Sequence, residues 1–188
     1  ANDRSYQYDS IGNRRKSANS LMLPEGDNYS ANALNQYMTV AASNINPSYD
    51  LDGNMTSGPL FPTATAPMEA SFSWNAENEM TTITRGDGQI ITYKYDAFGR
   101  RIARIQNGIT TAFVYSGWNL VAEYTVSGGS TAISKSYLWG KDVAGSLSGT
   151  GGTGGLLAVT LHGTGGTSTY YPLYDGGANI TQYLDSAG

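Results

Sequence analysis

The sequence predicts an all-β chain: a mainly antiparallel sheet of hairpins repeated along the length. Three observations predict it. Tyr (14) and Gly (24) are over-used among the 188 residues, beside plentiful Ser and Thr, which is a strand-and-turn composition. Short stretches alternate apolar and polar residues, as half-buried strands do. And one signature, aromatic-Asp-x-x-Gly, recurs in variants throughout.

The copies run as follows. Tyr8-Asp9 is followed by Gly12, Asn13 and Arg14, and Tyr49-Asp50 by Gly53 and Asn54. Trp74-Asn75 is followed by Asn78, which takes the left-handed conformation almost as Gly does. Tyr95-Asp96 is followed by Gly99, Arg100 and Arg101. Tyr174-Asp175 is followed by Gly177 and Asn179, one residue displaced, and Leu184-Asp185 by Gly188. From Trp74 to Tyr95 to Tyr115 the spacing is 21 and then 20 residues, a regularity that marks a repeat.

The unit has a physical logic. An Asp side chain bonds the backbone two residues on and nucleates a turn, and Gly supplies the positive φ. The aromatic residue ends one strand and packs on its neighbour. The Arg pair bridges neighbouring strands or covers tyrosine faces. Between the copies, "QIITYKYD", "RRIARIQ", "TTAFVYS", "NLVAEYTV" and "ISKSYLW" read as strands, punctuated by "QNG", Ser116-Gly117-Trp118 and "SGGS". At least ten strands are expected, with no helix beyond about two turns. Only "NYSANALNQYMTV" offers helical spacing (Ala31, Leu34, Tyr37 or Met38), and its Asn content argues for a loop or one turn.

These motifs resemble the RHS-repeat (YD-repeat) family. "YDxxGR", "YDxxGN", "NALNQY", "WNLVAEY" and "GGTGGLLAV" carry the likeness over nearly the whole chain, least clearly over 57–70. Relatives include bacterial Rhs polymorphic toxins, the shell subunits of Tc toxin complexes, and teneurins. The resemblance implies a segment of a spiralling β-cocoon shell that encloses or presents a C-terminal toxin, in a secreted or cell-surface protein. It further implies that residues 1–188 are one repeat segment of a longer polypeptide, with 145–155 a Gly-rich connection inside it. The expected partners are further repeats of the same polypeptide or copies of itself, an encapsulated toxin segment, and cell-surface glycans.

Other chemistries find little support. Net charge is −4 with no basic run, against a nucleic-acid partner. Cys is absent, so disulfides and thiolate sites are excluded. No apolar run approaches the ~20 residues of a membrane span. Gly149-x-Gly151-x-x-Gly154 matches a dinucleotide fingerprint by letter, but a strand-like "GLLAVTLHG" follows where a helix is required. A flexible or tightly turned connection is the alternative. "YDLDGN" fails the EF-hand pattern at both anchors, leaving an Asx turn or a weak calcium contact through Asp50 and Asp52. His162, the single histidine, has no nucleophile elbow near it. No catalytic residue, cofactor site or metal site is expected. The function classes are a non-catalytic shell segment and, as the alternative, an adhesin or carbohydrate-binding scaffold using exposed tyrosines, or a self-assembling extracellular filament.

Overall fold

The computed structural model describes residues 5–18, 28–41, 43–63 and 66–185. Among the repeat residues, Gly188 lies outside them. Every regular element described is a strand, as the composition predicts.

The chain divides into two units, residues 1–92 and 93–188. The first opens with two separate hairpins, β1 (Ser5–Tyr8) with β2 (Arg14–Ala18), and β3 (Ser30–Ala31) with β4 (Tyr37–Thr39). Then come β5 (Ser48–Tyr49), β6 (Met55–Thr63), β7 (Ala66–Trp74), β8 (Met80–Arg85) and β9 (Ile90–Tyr95), in which the division falls. The second unit continues with β10 (Arg101–Gln106), β11 (Ile109–Ser116), β12 (Asn119–Ser127), β13 (Ser130–Trp139), β14 (Leu156–Gly163), β15 (Gly166–Tyr174) and β16 (Ile180–Leu184). The last twelve strands form one sheet in sequence order, β5 to β16, so each strand pairs only with its chain neighbours. The Thr, Ile, Val and Tyr content of runs such as "TTIT" and "IITYKY" explains the strands, because branched and aromatic side chains suit a pleated surface.

The two ends of the hairpins are closed differently. One end carries turns of two central residues, such as Asn107-Gly108 (φ 53° and 74°) and Gly128-Gly129 (φ 56° and 79°). Two successive positive φ values match the twist of the flanking strands. The other end carries the repeat signature, and there each ladder shifts register just before the turn. Tyr8 pairs with Arg14, Tyr49 with Met55, Trp74 with Met80 and Tyr174 with Ile180. Such a bulge kinks the strand and re-aims the side chain that follows it.

The segment with helical spacing is a hairpin instead: β3, a turn at Asn32–Gln36, and β4. Asn35, at φ 67°, supplies the left-handed residue. The core is thin. Buried apolar residues are Ala70, Ile91, Ala122, Leu156 and Ala158, and no large side chain among the described residues is fully buried. Stability therefore rests on hydrogen-bonded ladders and cross-strand pairs more than on a packed interior.

Candidate functional site: the Asx-turn end of the hairpins

The repeat signature folds into one turn with fixed bonding. In the copy at Asp96, the Asp96 N–H donates to the Arg100 carbonyl (3.0 Å), and the Gly99 N–H donates back to the Asp96 carbonyl (3.1 Å). Asp96 Oδ1 accepts from the N–H groups of Phe98 (2.9 Å) and Arg100 (3.1 Å). Oδ2 accepts from Arg100 Nε at 2.8 Å. Gly99 has φ 75°, the value that favours glycine. The Asp96 carboxylate, N–H and carbonyl and the N–H groups of Phe98, Gly99 and Arg100 are thus all bonded within the turn.

The same pattern closes the turns at Asp9, Asp50 and Asp175. At Asp175 the left-handed residue is Ala178 (φ 61°) and not Gly177, so this copy is in register with the others after all. Asn179 stands where Arg100 stands, and its amide donates to Asp175. Tyr115 precedes a turn of another kind, the tight Ser116–Asn119 connection. Asp185 is the last described residue, and Gly188 of the same sequence motif lies outside the described residues.

The structure adds two copies with no aromatic residue directly before the Asx residue. Asn32 receives the N–H groups of Leu34 (2.9 Å) and Gln36 (3.0 Å). Asp142 receives those of Ala144 (3.0 Å) and Ser146 (3.1 Å). Ala31 and Lys141 stand where the others have Tyr or Trp. Their signal was the spacing alone: an Asx residue, a left-handed residue three on, and a polar partner four on.

That fourth-on partner follows a polarity rule. Where the turn begins with Asp, the partner is a donor: Asn13, Asn54, Arg100, Ser146 or Asn179. Where it begins with Asn, the amide donates instead, and the partner is an acceptor: Gln36 Oε1 (2.8 Å) or Glu79 Oε2 (2.8 Å). Adjacent turns are then tied sideways. Asn13 Nδ2 donates to Asn35 Oδ1 (2.6 Å) and Asn54 Nδ2 to Asn78 Oδ1 (2.8 Å). Arg100 donates to the Gly117 carbonyl.

The aromatic residue has a job beyond packing. Its polar tip crosses to a backbone carbonyl of the preceding hairpin. Tyr49 donates to Tyr37 (3.1 Å), Trp74 to Met55 (2.8 Å), Tyr115 to Arg101 (3.0 Å), Trp139 to Leu120 (2.6 Å) and Tyr174 to Leu156 (2.7 Å). The Arg pair covers aromatic faces as expected, and Arg100 joins two turns where a bridge between strands was expected. Arg100 links two turns and lies over Phe98, Tyr115 and Trp118, while Arg101 covers Tyr93 at 4.6 Å, as Arg14 covers Tyr6 at 4.7 Å.

The electrostatics follow. The Arg100 guanidinium holds the Asp96 carboxyl below its ordinary value, and partial burial opposes it. At Asp9 and Asp50 burial pulls upward but loses to the combined turn hydrogen bonds, so both are lowered. Asp175 is lowered chiefly by the Asn179 N–H. Asp142 is held furthest below the carboxylate range, first by the Thr150 N–H at 2.7 Å. That bond shows why the Gly-rich connection is tightly turned. Gly140 N–H also bonds the Gly155 carbonyl (2.7 Å), Val143 N–H the Thr153 carbonyl (3.0 Å), and buried Asn119 the Leu147 carbonyl (2.6 Å). Gly152, at φ 81°, lies so close that a Cβ there would meet Asn119 Oδ1 at 2.5 Å.

The remaining candidates are accounted for by ordinary bonds. Both oxygens of Asp50 are taken within its turn. His162 Nε2 bonds Ser136 Oγ at 2.9 Å. Glu123 pairs with Lys135 (3.3 Å) and accepts from Tyr137, and burial followed by this carboxylate pushes the phenol pKa up. Among the described residues no cluster of three or more His, Asp or Glu could hold a metal ion.

The family described as RHS Repeat matches residues 74–106, which hold the Asn75 turn, the Asp96 turn and the hairpin between them. This chain carries the RHS repeat. Curated relatives agree along more of its length. A "tRNA3(Ser)-specific nuclease WapA" of Bacillus spizizenii is 30% identical over 190 residues, covering 97% of this chain and 7% of the relative. A "tRNA nuclease WapA" of Bacillus subtilis (strain 168) is 34% identical over 142 residues, covering 72% of this chain and 5% of the relative. The RHS chain thus spans only a small part of the relatives it matches. A crystal structure of TcdB2-TccC3-Cdc42 aligns over 97% of this chain and 12% of its own, with TM-score 0.47 and 12% identity.

Proposed function

We propose that this RHS-repeat chain is a structural, non-catalytic segment of an exported bacterial toxin polypeptide, building part of a β-sheet shell that encloses or presents a C-terminal toxin. One observation carries the reading. The aspartates of the repeat have both carboxylate oxygens engaged in turn bonds, so the residues that recur most build backbone geometry. The nuclease named in the relatives' titles is, on this reading, a property of other parts of those long chains. Two experiments test it. The purified 188-residue chain, incubated with total tRNA, is expected to leave it intact, and cleavage lost in a substitution variant would overturn the non-catalytic assignment. In the intact parent polypeptide, the segment after these repeats is expected to resist protease and to become sensitive when residues 1–188 are deleted. Unchanged resistance would remove the shell assignment.

A second reading, a carbohydrate-binding scaffold, is favoured by a shallow depression lined by Tyr137, Tyr170 and Tyr183 beside Lys135. Tyrosine faces beside a charged group suit a sugar ring. Glycan-array binding lost in Tyr183→Ala would support it.

A further inference from the structure

Asp52, Asp87, Asn107 and Asp175 are each followed by Gly. With no Cβ on the second residue, its backbone nitrogen can approach the side-chain carbonyl carbon of the first and close a five-membered imide. The fold treats these sites differently. The Gly53 N–H donates to the Asp50 carbonyl (3.2 Å) and the Gly88 N–H to the Arg85 carbonyl (2.9 Å). The Asp87 carboxylate is also held, by the Gln89 N–H (3.1 Å) and by Arg85 (2.7 Å). At Asp175 one oxygen takes the N–H groups of Gly177 (2.8 Å) and Asn179 (2.9 Å), and the other takes the Asn179 amide (3.0 Å). Asn107 and Gly108 are exposed, and among the described residues neither the Asn107 amide nor the Gly108 N–H has a hydrogen-bond partner. A Cβ built on Gly108 would meet nothing within 4 Å. The strand pairing closes outside the two residues, at Gln106 and Ile109, so both can rotate without breaking a bond of their own. Asn107 also carries the better electrophile, because an ionised carboxylate resists attack and a neutral amide does not.

We propose that Asn107 is a site of spontaneous self-modification in the folded chain. The Gly108 nitrogen attacks the Asn107 side-chain carbonyl carbon. The side-chain nitrogen leaves as ammonia, taking up the proton that the Gly108 nitrogen gives up, and the imide closes. Water then opens the ring at either carbonyl, leaving an aspartyl link or, through the side chain, an isoaspartyl link. Water is the one co-reactant, and base speeds the step because the attacking nitrogen must lose its proton. The isoaspartyl product adds a carbon to the backbone of a turn whose two positive φ values match the twist of β10 and β11. The hairpin tip gains a negative charge and loosens, irreversibly, as the protein ages. The signature turns at the other end of the hairpins are shielded, because their Asx side chains are engaged in turn bonds. The inference rests on the opposite-end turn alone and stands apart from the shell reading.

Incubation of the 188-residue chain at pH 8, folded and in urea, tests it, with peptide mapping and isoaspartyl methyltransferase labelling as readouts. In the folded chain Asn107 is expected to convert before any other Asn, to a mixture of aspartyl and isoaspartyl products. Its rate should be less than about tenfold below the rate in urea, since no hydrogen bond must break first. Isomerisation at Asp87 and Asp175 should be at least about tenfold slower folded than unfolded. Hydrogen exchange at Ile109 should quicken in the isoaspartyl fraction and stay unchanged in Asn107→Asp, which gains the charge without the extra carbon. Retardation of Asn107 by tenfold or more on folding overturns the proposal. So does earlier conversion of another Asn, or isomerisation of Asp87 or Asp175 as fast as the change at Asn107. Equal exchange in the isoaspartyl fraction and in Asn107→Asp overturns the loosening of the tip.

Discussion

The neighbouring turns Asp50–Asn54 and Asn75–Glu79 share a backbone and differ in the sign of their chemistry. In the first, a carboxylate accepts from the Asn54 amide (3.1 Å). In the second, the Asn75 amide donates to a carboxylate at Glu79 (2.8 Å). In both, Oδ1 of the leading residue takes two backbone N–H groups. The difference separates what the turn requires from what it tolerates. It requires one oxygen at the first position and a left-handed residue at the fourth. The charge can sit at either end of the bonded pair, provided the other end is complementary.

The comparison breaks most severely at the fourth position. Gly53 has φ 87° and Asn78 φ 60°. Gly53→Val is expected to cost roughly 1–3 kcal/mol, the usual cost of forcing a branched side chain into that region. Gly99→Val should behave alike, whereas Asn78→Gly should cost little beyond the bond from Asn54. Equilibrium urea unfolding measures all three, and wild-type stability for Gly53→Val would remove the requirement.

Next is the polarity rule. Asn75→Asp places two carboxylates where amide and carboxylate were paired, and should destabilise by about 1 kcal/mol. Adding Glu79→Asn recreates the Asp50 arrangement and should restore most of the loss. A double variant no better than the single one would show that polarity is not what is matched.

Acid sharpens the contrast. The carboxyls of Asp9, Asp50, Asp96, Asp142 and Asp175 are lowered from an ordinary value of 3.8 in the folded chain. A lowered folded pKa contributes stability that is present above the unfolded value and lost as pH falls through the folded one. Melting temperature should therefore hold from neutrality to about pH 5 and fall below about pH 4. The fall should be smaller in Asp50→Asn/Asn54→Glu, which moves that carboxylate to the far end of the pair. A melting temperature unchanged from pH 7 to pH 3 would contradict the linkage.

The smallest effect expected is at the aromatic tip. Trp74→Phe keeps the ring but loses the bond to the Met55 carbonyl, worth about 1 kcal/mol. Hydrogen exchange should loosen locally where β6 begins, with the other turns unaffected.

The strands and their chain-neighbour pairing were legible because alternation and Asn-Gly or Gly-Gly turns are local signals. The turns at Asp9, Asp50, Asn75 and Asp96 were legible through the aromatic-Asx pair. Those at Asn32 and Asp142 were not, because Ala31 and Lys141 precede them and the aromatic residue is dispensable to the turn itself. Gly177 drew attention away from Ala178, since glycine is the usual left-handed residue and alanine is not. The sideways bonds from Asn13 to Asn35 and from Asn54 to Asn78 join residues 22 and 24 apart, a separation that only the folded sheet explains.

Strict pairing between chain neighbours governs how such a chain can be made. Each strand of the twelve closes a loop only to the strand just before it, so the entropy lost per step does not grow with the number already placed. Contact order stays low however long the array becomes, and folding can keep pace with a chain delivered from one end. A sheet whose last strand had to find its first would slow with every hairpin added. This one can be lengthened a hairpin at a time at nearly constant kinetic difficulty.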